Sequence, residues 1–240
     1  CLTNPSCTAF TFNTRNGSCF PKSSAGPAEP FQGAYSGQVI AADPKAETRA
    51  KKRRADLAFI MDWEVMSATE QAANLANAHV TNDFSAEEHF QAAAEAEARG
   101  DFLAASQFVG AALNLTDSGF DWAEYARLLV ETGKRDTNNP RQFYEQAVSA
   151  AINAYLRAEN KPMEHNALVT MGQALENLDR GRDTVQALRL AQKIQPRDDT
   201  AAALEDAVAK YGFRLVDHEV QADSARPRIC VSFSEDLVKT

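Results

Sequence analysis

Four cysteines are the residues best placed to do chemistry: Cys1, Cys7, Cys19 and Cys230. Three stand in the first nineteen positions, in "CLTNPSCTAFTFNTRNGSCFPK". Thiols can be oxidised in pairs, ligate a metal or act as nucleophiles. Tetrahedral zinc ligation usually shows paired C-x2-C or histidine spacing, which this cluster lacks. "TNPS" between Cys1 and Cys7 is turn material, and a helix ending at Leu2 followed by a turn can bring those two sulfurs within disulfide range. Three free, buried thiols are the competing reading. The histidines, His79, His89, His165 and His218, are scattered, with no second histidine at i+4 across a glutamate. His89, before Phe90 on a helix, reads as a packing or surface residue. Acidic runs such as Glu95–Asp101 have the composition of solvated helix faces. No G-x-S-x-G, phosphate-cradling glycine loop or EF-hand loop occurs. We therefore expect no enzyme, no cofactor, and no catalytic or metal-binding residues.

The elements that must position these residues fall into three textures. After Cys7, "TAFTFN" alternates as a strand, Asn16-Gly17 is a hairpin signal, and "CFPK" is the return strand carrying Cys19. Asp43 can cap a helix that Pro44 begins, and no glycine or proline interrupts the run that follows. The basic run Lys51–Arg54 reads as a solvated helix face or charged linker. From Ser67 the chain is alanine-rich and helical. Ser85 and Glu88 have capping-box spacing, and two helices meet at Gly100-Asp101. A second unit runs Trp122–Thr132, turns at Gly133 and resumes over Arg141–Ala158. A third runs from Met163 through Gly172, Leu188 and Ala191 to Pro196. "TAAALEDAVAKYG" makes a last helix with Gly212 as its C-cap. Trp63, Trp122 and the phenylalanines, at helical spacing, are expected in the core. At the end, "RICVSFSEDL" alternates as a strand, which we expect to stand alone as the first strand of a further β-sandwich.

The net charge of −8 and pI near 5.1 argue against a nucleic-acid partner, since neutralising phosphates needs a basic face. No apolar run approaches the length of a membrane span, and the chain shows no secretory signal. Asn16-Gly17-Ser18 and Asn114-Leu115-Thr116 match the glycosylation triplet, a pattern common by chance. The chain reads as part of something longer.

Three resemblances follow from these residues. Cys1, Cys7, "AFTFN" and "CFPK" resemble the PAN/apple domains of secreted proteins, with "PFQGAYSGQVI" (residues 30–40) as the closing strand. That resemblance implies a Cys1–Cys7 disulfide and a Cys19 whose partner lies outside this chain; it also implies a place outside the cytoplasm and binding of protein or carbohydrate. Ala93, Gly100, Ala105, Val109 and Ala112 resemble the small and apolar positions of tetratricopeptide repeats, where paired helices approach closely. The spacing is degenerate: Ala105 to Ala147 is 42 residues and Ala154 to Ala191 is 37, against about 34 in that family. "RPRICVSFSEDL" is similar to the opening strand of the first macroglobulin domain in bacterial alpha-2-macroglobulin family proteins, some of which carry a PAN module and a helical segment ahead of it.

Together these predict a mainly α chain: a truncated PAN/apple-like α+β module (1–42), a linker or helix (43–66), a tetratricopeptide-like solenoid of helical hairpins (67–212) and a lone terminal strand after a linker (213–240). The resemblance implies a non-catalytic binding and scaffold region of a protease trap in the periplasm, outer envelope or medium. In that family a bait segment is cut, the molecule closes and a thioester captures the attacker. The family's C-x-E-Q motif does not occur here, so Cys230 is not expected to be the thioester residue. Its partners would be proteins, proteases among them, or carbohydrate. The alternative is a free-standing helical-repeat adaptor for protein–protein contact.

Overall fold

The computed structural model describes residues 7–24, 32–38, 44–79, 81, 84–213, 215–223 and 226–234. It divides into two compact units, Cys1–Thr48 and Arg49–Thr240.

In the first unit, β1 (Ala9–Asn13) is the middle strand of an antiparallel sheet, between β2 (Ser18–Lys22) and β3 (Ala34–Gln38). The expected hairpin joins β1 to β2, with Phe12 opposite Cys19 and Asn13 opposite Ser18. Gly17 takes the left-handed backbone that its turn requires, at φ +70°, while the Asn16 side chain accepts from the Ser18 amide at 3.0 Å. β3 lies on the other side of β1, where Thr11 and Ser36 hydroxyls meet at 2.9 Å. Gly37 is required there because the Phe10 ring lies across it; a Cβ would come within 2.7 Å of that ring.

α1 (Pro44–Asp56) begins in the first unit and runs into the second, where α2 (Asp62–Ala78) follows it ahead of the hairpins; helix fills most of the segment expected as a linker or helix. Three hairpins follow: α3 (Ala86–Ala98) with α4 (Phe102–Thr116), α5 (Gly119–Arg135) with α6 (Pro140–Arg157), and α7 (Lys161–Asn177) with α8 (Gly181–Ile194). α9 (Asp198–Tyr211) closes the stack on α8. Their starts are written locally. The Ser85–Glu88 capping box forms, and Asp101, Ser118 and Asn160 each accept from a first-turn amide.

Alanine lets these helices approach closely. Ala105, Ala147, Ala151, Ala167, Ala174, Ala187 and Ala191 have no solvent exposure, and between them lie Trp122, Ile152, Tyr155, Leu168 and Met171. Gly100 belongs to the α3–α4 turn instead, at φ +78° with open space about it. Gly133 is the converse. Expected as a turn, it lies inside α5, which continues to Arg135, and it is buried against the Tyr144 ring of α6. The α4–α5 turn is pinned by Asp117, left-handed at φ 46°, whose carboxylate accepts from Trp122 Nε1 at 2.9 Å and pairs with Arg157 at 2.8 Å.

α2 does not continue the hairpin pattern. It packs on α6 and α4. Its buried side carries Val65, Ala68 and Leu75, and its backbone is gripped by Asn153 of α6, whose Nδ2 donates to the Ala68 carbonyl at 2.7 Å. Within the basic run, Lys51, Lys52 and Arg54 are solvated as expected. Arg53 is not: it is 5% exposed and joins α1 to the α6–α7 corner through Glu164 at 2.6 Å and the Leu156 carbonyl at 3.2 Å.

The strand expected to stand alone has a partner. β5 (Arg228–Phe233) pairs antiparallel with β4 (Leu215–Gln221), with Val220 opposite Ile229 and Glu219 opposite Cys230. The weak alternation of "FRLVDHEV" hid that strand, because both of its faces are exposed and none of its residues is patterned by a core. Phe213 and Phe233 stack at the base of the ribbon, ring centroids 4.9 Å apart.

Candidate functional site: a groove between α2 and α6

Two adjoining cavities lie where α2 crosses α6, about 570 and 440 Å³, and they share Ser67, Glu145 and Ser149. The stripe 63/67/70/74 lines one wall. Helical geometry sets it roughly opposite the buried stripe 65/68/72/75, since each residue turns the helix by about 100°. Residues 142, 145, 146 and 149 of α6 line the other wall by the same periodicity.

The two halves differ in chemistry. The larger cavity has an apolar floor of Val148 and Leu178, with Met61 and Trp63 at its mouth. Trp63 is 67% exposed, which corrects the expectation of core packing; Trp122 is the tryptophan that fills the core, at 0%. Trp63 sits two positions from Val65, about 200° round the helix, and so faces away from the packed side. The rim is charged and internally paired. Arg180 bonds both Glu64, through Nη1 to Oε1 and through Nη2 to Oε2 at 3.1 Å, and Asp183 at 2.7 Å. Arg141 bonds Glu145 at 2.9 Å.

The smaller cavity is lined by polar side chains alone, among them Glu70, Gln71, Asn74, Gln142 and Gln146. Gln71 Oε1 is buried there without a hydrogen-bond partner. An acceptor left so is costly, by about 1–3 kcal/mol in typical cases, unless a donor arrives. The carboxylate of Glu70 is exposed, and no cation among the described residues pairs with it.

The cysteines and histidines lie elsewhere. Cys7 is buried, its Sγ 3.3 Å from the Ala9 carbonyl oxygen. Cys1 lies outside the described residues, and so does the expected Cys1–Cys7 pairing. Cys19 and Cys230 are free, exposed thiols within this chain, on β2 and β5. His89 is a packing residue, 3% exposed, bonded to the Thr81 carbonyl at 3.0 Å and edge-on to Phe84. His165 is buried against Thr200 Oγ1 at 3.0 Å, and burial holds its imidazole below the usual range. His79 shares a 3.1 Å hydrogen bond with Tyr125; burial lowers the histidine and raises the phenol to about 12. The Asn114 amide, in the second glycosylation triplet, is engaged with the His79 carbonyl at 2.9 Å.

Among the described residues no cluster of three or more His, Cys, Asp or Glu is arranged to hold a metal ion, and no helix is long and apolar enough to cross a membrane. The groove escapes sequence reasoning because Glu64 and Arg180 meet across 116 positions; the one local signal is the off-stripe position of Trp63. No protein-family model matches the chain, and no curated protein matches it.

Proposed function

We propose that this chain is a non-catalytic binding and scaffold region of a bacterial alpha-2-macroglobulin-like endopeptidase inhibitor, working outside the cytoplasm. The observation that carries the reading is the β4–β5 ribbon. Leu215, Val216, Val220, Ile229 and Val231 are 44–67% exposed on it. Two strands alone are marginal in water, and burying each such side chain stabilises by roughly 1 kcal/mol or more. A ribbon of this composition is suited to packing into a larger sheet. Its second strand is the segment similar to the opening of a macroglobulin domain. The three-stranded sheet of the first unit would supply a protein or carbohydrate contact; Phe20 and Tyr35 stand exposed on it, at 53% and 70%. The hairpins of the second unit are the scaffold.

The test is inhibition by the full-length protein. A trap hinders a captured endopeptidase from reaching large substrates and leaves small ones accessible. Cleavage of a protein substrate should fall while cleavage of a short chromogenic peptide persists. Unchanged cleavage of both would overturn the proposal. The adaptor reading is favoured by a separate observation, the open groove between α2 and α6; binding of another protein is common to both.

A further inference from the structure

The groove has a composition that selects its occupant. Its apolar end offers an exposed indole together with Val148 and Leu178, and its polar end offers an unpaired carboxylate and side-chain amides. Both cations that line it, Arg141 and Arg180, are already committed to carboxylates. Of the lining residues, Glu64, Glu70, Glu145 and Asp183 carry four negative charges and the two arginines two positive, so the groove is net −2 and complements a cation. Side-chain amides of asparagine and glutamine donate and accept, as a peptide backbone does, which suits an extended chain laid between two helices.

The dimensions set a spacing. Trp63 and Glu70 are seven residues apart on α2, about 10 Å along the helix axis at ~1.5 Å per residue. An extended peptide advances about 3.3 Å per residue, so this distance corresponds to about three residues.

We propose that the α2–α6 groove docks an extended segment of a partner protein, one that sets a large apolar side chain against Trp63 and, three residues away, a lysine or arginine beside Glu70. The proposal rests on reading the chain as a non-catalytic binding unit, and it names the surface and the chemistry recognised.

The experiment is selection of a random peptide library on the whole chain, followed by affinity measurement with fluorescently labelled winners. Selected peptides should pair an aromatic or large aliphatic residue with Lys or Arg at a spacing of three, in one chain direction. Binding should shield Trp63 from acrylamide quenching; Trp122, with no exposure, contributes little to that signal. Both contact residues are exposed, so substitution leaves the fold intact. Trp63→Ala should weaken binding about 30-fold, the effect of removing a buried aromatic anchor. Glu70→Lys should weaken it about tenfold and should restore affinity for peptides whose basic residue is exchanged for Asp or Glu. Winners indifferent to both substitutions would overturn the groove assignment while leaving the binding reading in place. Recovery of no peptide would also overturn the assignment, and the inhibition assay would then judge the wider reading alone.

Discussion

Replacing Gly133 by alanine separates two roles that a glycine can play. In the structure it is helical, buried in α5, and faces Tyr144 of α6, which is 7% exposed. A Cβ there would stand 2.6 Å from Tyr144 Cε1 and 2.9 Å from Cζ. Comfortable carbon–carbon contact is about 3.5–4.0 Å, so the ring or the helix must yield by about 1 Å. Overpacking of this kind costs typically about 1–3 kcal/mol. Helix propensity works the other way, favouring alanine over glycine by about 1 kcal/mol. The ring is itself only 7% exposed and has little room to swing aside, so the cost belongs near the upper end and wins, for a net loss of about 1–2 kcal/mol. At roughly 2–4 °C per kcal/mol for a domain of this size, Tm should fall by about 2–8 °C. The assay is urea unfolding of four proteins: the parent, Gly133→Ala, Tyr144→Leu and the double variant. With the ring gone, Gly133→Ala should become neutral or stabilising, giving a coupling of about 2 kcal/mol. Were Gly133 a left-handed turn residue, alanine would cost the same in both backgrounds. Equal costs, or a gain in the parent, would refute the packing argument.

Three further outcomes are expected. Asn153→Leu should destabilise by about 1–3 kcal/mol in the same assay, because the amide that grips the Ala68 carbonyl and accepts from Arg157 at 2.6 Å is lost and the buried Ala68 carbonyl is left without that donor. Burial depresses the folded-state pKa of His165, and of His79 likewise; the unfolded chain therefore takes up protons first as pH falls through about 6.5. Stability should be full above that pH and decline below it, down to the folded-state values, and His165→Gln should flatten the decline. Non-reducing mass mapping of the full-length protein, free thiols alkylated first, should find Cys1 joined to Cys7 and Cys19 joined to a residue outside this chain; four alkylated thiols would instead indicate a reducing compartment.

Local chemistry made much of the fold legible. Pro44, the Ser85–Glu88 box, Gly100-Asp101 and Asn16-Gly17 each act within four residues, and each marks an element edge that the structure reproduces. Gly133 was opaque because glycine serves a turn and a close approach equally, and only the distant Tyr144 decides between them. Arg53 looked like one more charge in a solvated run; its burial depends on Glu164, 111 positions away. β4 was hidden for want of a patterned face. The groove is of the same kind, since its walls come from two helices that share no local signal.

The resemblance of "RICVSFSEDL" to a macroglobulin strand, and the exposed apolar side chains of β5, are tested most directly by the reading frame on either side of this chain in its gene. A cysteine-bearing helix segment should lie upstream and a series of β-domains downstream, the first of them supplying strands to cover Ile229 and Val231. A frame that closes soon after Thr240 with no β-domain would contradict it.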